Sequence, residues 1–393
     1  MALPPPGPFV AKADASTGRQ IWRTYLDNVN VSGHWIAVAN LNILPNGNLV
    51  FAWSNYVVLL DGDTGAILRA NTLPSGEALA SNSHFKHVTI APDGTLIIKN
   101  QIRPTGETGQ GAFAMIRGAQ QGLPMAPSII HAVDPNTLQI VDSIQIPEVS
   151  AVPRSITMFD GKIAIYVAAH KHAFRYFWDP ATKKLSQDAS WVVPYLQPGQ
   201  SDGTALSIMG DWVVIQTNGI GSKTTASSVV AINQHDPSKK TTVFPFGPLK
   251  KGEQSFAPPK NGSDAETHMV YSQDLGVAKV AGIKLEPKTG AMNTVFVVDD
   301  RTTCLVALIG PKDKCDAHLQ PASRPAVRAN DVRPGHRAIQ GTGALARCSD
   351  RAADCAIRSV RADVGEHAGH TGLWRAGVLP DRQGVHHHAA ESD

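Results

Sequence analysis

Five times along the chain a threonine stands three residues after an acid, at a point where one alternating apolar run ends and another begins. The copies are Asp14-Ala-Ser-Thr17-Gly18, Asp61-Gly-Asp-Thr64-Gly65, Asp134-Pro-Asn-Thr137, Asp179-Pro-Ala-Thr182 and Glu286-Pro-Lys-Thr289-Gly290. A weaker copy runs from Asn233 to Asp236. An acid in this position accepts backbone N–H groups as an Asx-type turn, and glycine takes the positive φ that closes it. The runs before the turns read "YVVLLD", "SIIHAVD", "SVVAIN" and "KVAGIKLE"; those after read "RQIWRTYL", "AILRANTL" and "LQIVDSIQI". Period-two alternation bounded by turn residues predicts β-hairpins.

A second punctuation interleaves with the first. Asn46-Gly47, Asp93-Gly94, Asp160-Gly161 and Gly210-Asp211 each split two apolar runs, and Asn261-Gly262 is read the same way. These dipeptides supply type I′ hairpin geometry. Each unit therefore reads strand, short turn, strand, loop, strand, acid-x-x-Thr turn, strand. The units recur roughly every 45–55 residues, the period of a four-stranded propeller blade. The fold class is all-β, a β-propeller. The chain opens with two outer strands, "FVAKAD" and "RQIWRTYL", and five full blades follow, ending near Asp300. About seven blades are expected in the complete form, because two outer strands at the start call for two inner ones at the end. One interval is longer: "RPTGETGQGAFAMIRGAQQGLPMAP" lies between Ile102 and Ser128 and joins the second and third strands of its blade. A loop of that length is expected to be functional or mobile.

"ADASTGRQIW" resembles the Ala-x-Asp-x-x-Thr-Gly-x-x-x-Trp signature of quinoprotein-type propellers, in which the tryptophan (here Trp22) docks one blade on the next. The other copies are as similar to YVTN- and WD-type propellers. The resemblance covers residues 10 to 312. It implies a bacterial protein that works in the periplasm or outside the cell. Within "MALPPPGPF" itself there is no basic start and no apolar core, so no signal peptide is read there. The resemblance also implies an oxidoreductase with quinone bound in the central funnel. Quinone-dependent alcohol dehydrogenases of this type carry an adjacent cysteine pair and a Ca²⁺ ligand set. This chain has Cys304, Cys315, Cys348 and Cys355, none adjacent to another, and no such ligand set can be matched. The cofactor stays open between a quinone and a divalent metal.

After Lys314 the pattern changes. Residues 315–393 hold ten of the eighteen arginines, no lysine and seven of the fifteen histidines, with no strand period. The expected division is a propeller over 1–314, partial in its first and last blades, and an Arg/Ala/His-rich tail over 315–393. That tail is read as disordered or as the product of a shifted reading frame, supplying no strand to the ring. Cys348-x6-Cys355 and His367-x2-His370 do not have the ligand spacing of a structural zinc site.

Propellers place function on the loops leading into the inner strand and on those joining the second and third strands. The first kind carries His34, His84, Lys86, His87 and Arg154; the second carries Lys99, Asn100, Arg103, His170, His172 and Asn218. Gathered on one face, these groups suit an anionic ligand, a quinone, or a metal held by imidazoles. Taken singly, each reads more simply as a solvated loop residue.

"GIGSKT" (Gly219 to Thr224) lacks the spacing and the following helix of a phosphate loop, and no Gly-x-Ser-x-Gly or His-Glu-x-x-His occurs. A formal net charge of +3 gives no case for nucleic acid, and no apolar run is long enough to span a bilayer. Two functions remain: a propeller enzyme with its site in the funnel, possessing a coupled acid, base or metal, and a non-catalytic propeller binding a small molecule or a protein partner. Fold alone does not choose between them.

Overall fold

The computed structural model describes residues 8–26, 34–35, 40–110, 114–115, 118, 121–150, 155–218, 225–253, 255–257 and 262–299, and the strand segments 345–348, 355–358 and 373–377. The strands fall into consecutive antiparallel sheets. The first blade begins with β1 (Phe9–Ala13) and β2 (Gln20–Tyr25). The second is β3 (Asn40–Ile43), β4 (Leu49–Trp53), β5 (Tyr56–Leu60) and β6 (Ile67–Thr72). The third is β7 (Ser83–Ile90), β8 (Leu96–Ile102), β9 (Ile129–Val133) and β10 (Ile140–Gln145). The fourth is β11 (Ser155–Phe159), β12 (Lys162–Ala168), β13 (His172–Asp179) and β14 (Lys184–Pro194). The fifth is β15 (Ser201–Met209), β16 (Trp212–Asn218), β17 (Val229–Asn233) and β18 (Lys240–Val243). The sixth is β19 (Gly262–Asp264), β20 (Met269–Asp274), β21 (Lys279–Leu285) and β22 (Met292–Asp299). In each of these five four-stranded sheets the strands pair in chain order. The fold is a β-propeller.

The gradient of burial across a blade follows from this order. In the second blade β4 and most of β5 are buried, whereas β6 is exposed along almost its whole length. Apolar side chains from the middle strands of adjacent blades interleave; Val50, Val57 and Leu59 meet Phe85, Leu96 and Ile98 between the second and third. Each such side chain contributes about 1.5–3 kcal/mol on burial.

The acid-x-x-Thr turns join the third and fourth strands. Asp14 Oδ1 accepts from the Thr17 amide at 2.7 Å and the Thr17 hydroxyl at 2.8 Å. Asp61 does the same with Thr64, at the same two distances. At the fifth turn position Gly18, Gly65 and Gly290 have φ of 69°, 75° and 72°, and Leu138 and Lys183 are held there at 58° and 56°.

These turns also latch the blades together. Thr24 Oγ1 donates to the Gly65 carbonyl at 2.6 Å, Asn71 Nδ2 to the Leu138 carbonyl at 2.7 Å, and Thr241 Oγ1 to the Gly290 carbonyl at 2.5 Å. In each case an outer strand reaches the fifth turn residue of the following blade. Tryptophans reinforce two of the latches. Trp22 Nε1 donates to Gly62 O at 3.3 Å with its ring against Gly65, and Trp212 Nε1 donates to Pro287 O at 2.8 Å with its ring against Gly290. Docking by tryptophan is thus repeated at Trp212, which lies on β16 and outside the repeat's own tryptophan position.

Three expectations need correction. Only Asp160-Gly161 has positive φ at both residues; at Asn46-Gly47 and Asp93-Gly94 the glycine alone does, so these are not type I′ turns. Of Asn261-Gly262, Asn261 lies outside the described residues and Gly262 begins β19 instead of lying in a turn; the turn follows Asp264, whose carboxylate accepts from Thr267 Oγ1 at 2.5 Å. That is a further acid-x-x-Thr turn, placed between first and second strands. Finally, the tail does supply a strand. β23 (Leu345–Cys348) pairs with β24 (Cys355–Arg358), and β25 (Leu373–Gly377) lies antiparallel to β1, so the first blade has three strands in the order β2-β1-β25. An unpaired flank of β1 exposes backbone donors and acceptors, and pairing with β25 satisfies them.

Candidate functional site

The loop after β10 and the β12–β13 loop open on the face where the sequence pattern places function. The first carries Glu148; the second carries His170 and Lys171 and leads into His172, the first residue of β13. Their meeting is specific. Glu148 Oε1 lies 2.5 Å from His172 Nδ1, and Glu148 Oε2 accepts from the backbone amides of Lys171 and His172 at 2.6 and 3.2 Å. A carboxylate held by two amides has one orientation left for its other oxygen, and it directs that oxygen at the imidazole. A carboxylate can only accept, so the pairing places a proton on Nδ1. The His172 side chain is about one-third exposed and Glu148 is largely covered.

Below His172, alternate residues of β13 continue on the same side of the strand. Phe174 lies 6.1 Å from the His172 ring and Tyr176 lies 6.3 Å from Phe174, centroid to centroid. The Tyr176 hydroxyl is buried without a hydrogen-bond partner among the described residues. Burial, and then the charge of Glu148, raises its pKa well above the ordinary value. A buried tyrosine hydroxyl normally finds a partner, so this one marks a polar position left open beneath the pair.

The remaining candidates are placed as follows. Lys99 is fully buried on β8, and its ammonium donates to the carbonyls of Asn100 and Ser150 at 3.0 and 2.7 Å. Asn100 is buried between Ser83 Oγ, to which it donates at 2.9 Å, and the Ile129 amide, from which it accepts at 2.8 Å. Arg103 grips Asn82 Oδ1 through Nε and Nη2 at 3.0 and 2.8 Å and reaches the Gly109 carbonyl at 3.0 Å. It thereby ties the long insertion to the blade; Gln110 adds a bond of 2.9 Å to the His34 carbonyl. His84 is buried and accepts the Ser54 amide at 3.1 Å on Nδ1, and His34 Nδ1 meets Ser54 Oγ at 3.0 Å. His87 pairs with Lys99 in the sheet, and Asn218 pairs with Ser201, but the side chains of both lie outside the described residues, as does the side chain of Lys86. Arg154 lies outside the described residues altogether.

Two contributors to this face escaped the sequence reading. Glu148, in "IPEVS", has no spacing motif; its only signal is that it stands in a loop leading toward an inner strand. Tyr176 reads from its alternation as plain core. The structure also opens a cleft of about 650 Å³ on the opposite face, where sequence patterning placed nothing. It is bounded by hairpin turns, with Asp93 and Trp178 at its wall and Trp178 Nε1 donating to Asp93 Oδ2 at 2.8 Å.

The donors of Lys99, Asn100 and Arg103 hold the protein's own carbonyls and side chains. Among the described residues no three His, Cys, Asp or Glu side chains gather to hold a metal ion. No described helix is long and apolar enough to cross a membrane.

No protein-family model and no curated protein matches the chain. Solved structures are similar to it in fold. A protein from Lactobacillus plantarum superposes with a TM-score of 0.49 at 12% identity, over 74% of this chain and 77% of that one. A functionally unknown protein from Desulfotomaculum acetoxidans gives 0.47 at 12% identity, over 74% and 76%. The β-propeller domain of Swd1 from Myceliophteria thermophila gives 0.41 at 9% identity, over 67% and 71%. At these identities the likeness concerns the fold alone.

Proposed function

We propose that the chain is a propeller binding module whose small-molecule ligand or protein partner is met at Glu148 and His172. The observation that carries this reading is the carboxylate on His172 Nδ1, which fixes the ring of a partly exposed imidazole. Lys99, Asn100, Arg103 and His84 are each tied to backbone or side chains of the protein and serve as scaffold in this reading. Rigid loops bearing one oriented group suit recognition. No nucleic acid is included among the partners. In this reading residues 1–314 form the binding unit and 315–393 a tail that lends β25 to the first blade, and the protein works in the periplasm or outside the cell, in keeping with the resemblance to quinoprotein-type propellers.

A second reading is favoured by the same pair. An imidazole with a carboxylate on Nδ1 is the arrangement of a general base, which an oxidoreductase acting on alcohols would use.

The experiment uses the full chain. Succinate and citrate are titrated by calorimetry against the wild type and His172→Gln, and the protein is separately passed through gel filtration after incubation with pyrroloquinoline quinone and Ca²⁺. Binding of a carboxylate that is lost in His172→Gln supports the module. Retained quinone absorbance with dye-linked oxidation of alcohols replaces it with the enzyme reading.

A further inference from the structure

Two of the chain's cysteines meet in the register of a strand pair. Cys348 closes β23, Cys355 opens β24, and the antiparallel pairing sets them directly opposite each other. The same register sets Leu345 against Arg358, Ala346 against Ile357 and Arg347 against Ala356. The cysteines are therefore the last pair before the chain reverses. A slip of one residue would oppose Cys348 to Asp354 or Ala356 and put the two cysteines on opposite faces. Cys304 and Cys315 lie outside the described residues.

Directly opposed residues of an antiparallel pair share a face, with Cα atoms about 4.5–5.5 Å apart. A disulfide spans Cα separations of about 4.4–6.8 Å. The backbone thus holds this pair at bonding separation without moving. The hairpin also lacks other support. Its sheet has two strands and no third, and such a hairpin is marginally stable in water. Leu345 and Ile357, its large apolar residues, fall on opposite faces in this register and make no shared patch. Two thiolates fall short of the four ligands of a structural zinc site, and among the described residues no three His, Cys, Asp or Glu side chains gather.

We propose that Cys348 and Cys355 are an oxidation site and form a cross-strand disulfide that staples β23 to β24. The oxidant is a small-molecule disulfide of the glutathione class. One cysteine thiolate attacks it, a mixed disulfide forms and one glutathione thiolate leaves. The second cysteine thiolate then attacks the protein sulfur of the mixed disulfide and the other glutathione leaves. Two cysteines are oxidised, one glutathione disulfide is reduced to two thiols, and the protons lost by the cysteines end on those thiols. Such a bond persists in an oxidising compartment, where the protein is proposed to work. The link is independent of the Glu148–His172 site.

The experiment uses the full chain, equilibrated with oxidised and reduced glutathione, quenched in acid, alkylated and digested with trypsin. Trypsin cuts after Arg347, Arg351 and Arg358, so the two cysteines fall in separate peptides, 348–351 and 352–358. The expected result is these two peptides joined, from chains that run as monomers on non-reducing electrophoresis, and separated when a reductant precedes alkylation. The variant carrying both Cys304→Ser and Cys315→Ser is expected to give the same joined pair. The equilibrium constant with glutathione is expected to fall about tenfold or more in concentrated urea, since the unfolded chain does not hold the register. Cysteines 348 and 355 both found alkylated under oxidising conditions overturn the proposal. A bond from either to Cys304, to Cys315 or to a second chain overturns it equally, as does an equilibrium constant unchanged by urea.

Discussion

Thr24 and Gly65, forty-one residues apart, are joined by a hydrogen bond of 2.6 Å from the threonine hydroxyl to the glycine carbonyl. The bond crosses from the first blade to the second, and the Trp22 ring lies against the same glycine. Replacing Thr24 by Val keeps the shape and removes the donor, for an expected loss of about 1 kcal/mol. Gly65→Ala meets both the left-handed backbone cost, roughly 1–2 kcal/mol, and the indole ring, and is expected to cost more than Thr24→Val. Urea unfolding of the two variants checks the order.

Lys183 and Leu138 hold the same turn position in the left-handed region, with φ of 56° and 58°. Glycine relieves roughly 1–2 kcal/mol of backbone cost there and returns about 0.5–1 kcal/mol in entropy. Lys183 is exposed, so Lys183→Gly is expected to stabilise by about 0.5–1 kcal/mol. Leu138 is fully buried between the second and third blades, so Leu138→Gly also forfeits about 1.5–3 kcal/mol of burial and destabilises. Thermal unfolding reads the opposite signs directly.

His131 is buried, with Nε2 on the Pro74 carbonyl at 2.8 Å and Nδ1 on Ser143 Oγ at 2.6 Å. Burial lowers its pKa below the ordinary 6.5, against a smaller opposing effect of the Pro74 carbonyl. The unfolded chain therefore binds a proton that the folded chain resists, and stability is expected to fall as pH drops through 6.5. The turn acids act lower. The hydroxyl of Ser16, together with Thr17, pulls Asp14 down from 3.8 to about 2, so its contribution is present above 3.8 and disappears as pH falls toward 2. Unfolding free energies measured across this range for the wild type and His131→Gln separate the two windows: the variant loses the upper slope and keeps the lower one.

Glu148 sets the tautomer of His172. In the neutral wild-type ring the proton is expected on Nδ1, and in Glu148→Ala both tautomers are expected to populate. Nitrogen-15 chemical shifts of the His172 ring distinguish one tautomer from a mixture. An unchanged spectrum would mean that the carboxylate does not orient the ring.

Lys99 is expected to behave as scaffold. Lys99→Met preserves the buried stem and strands the carbonyls of Asn100 and Ser150, for an expected cost of about 2 kcal/mol or more. Carboxylate titration of the same variant, at a temperature where it is folded, is expected to match the wild type.

The blade repeat was legible because its signals are local. An Asx-type turn is made by an acid and the next three residues, as Asp61 and Thr64 show, and strand alternation needs only neighbours in the chain. The right turns were therefore found at Asp14, Asp61, Asp134, Asp179, Asn233 and Glu286, whereas His84, Lys99 and His172, read as loop residues, lie within β7, β8 and β13. What composition and period do not contain is the pairing of side chains across blades. Lys99, Arg103 and His84 look like ligand groups as isolated letters; only their burial, and carbonyls and amides brought from distant segments such as Ser150, Gly109 and Ser54, turned them into scaffold. Glu148 meets His172 across twenty-four residues, a pairing with no local cause. Turn chemistry is decided within a few bonds of backbone, whereas the use of a charge is decided by whatever the packed fold sets beside it.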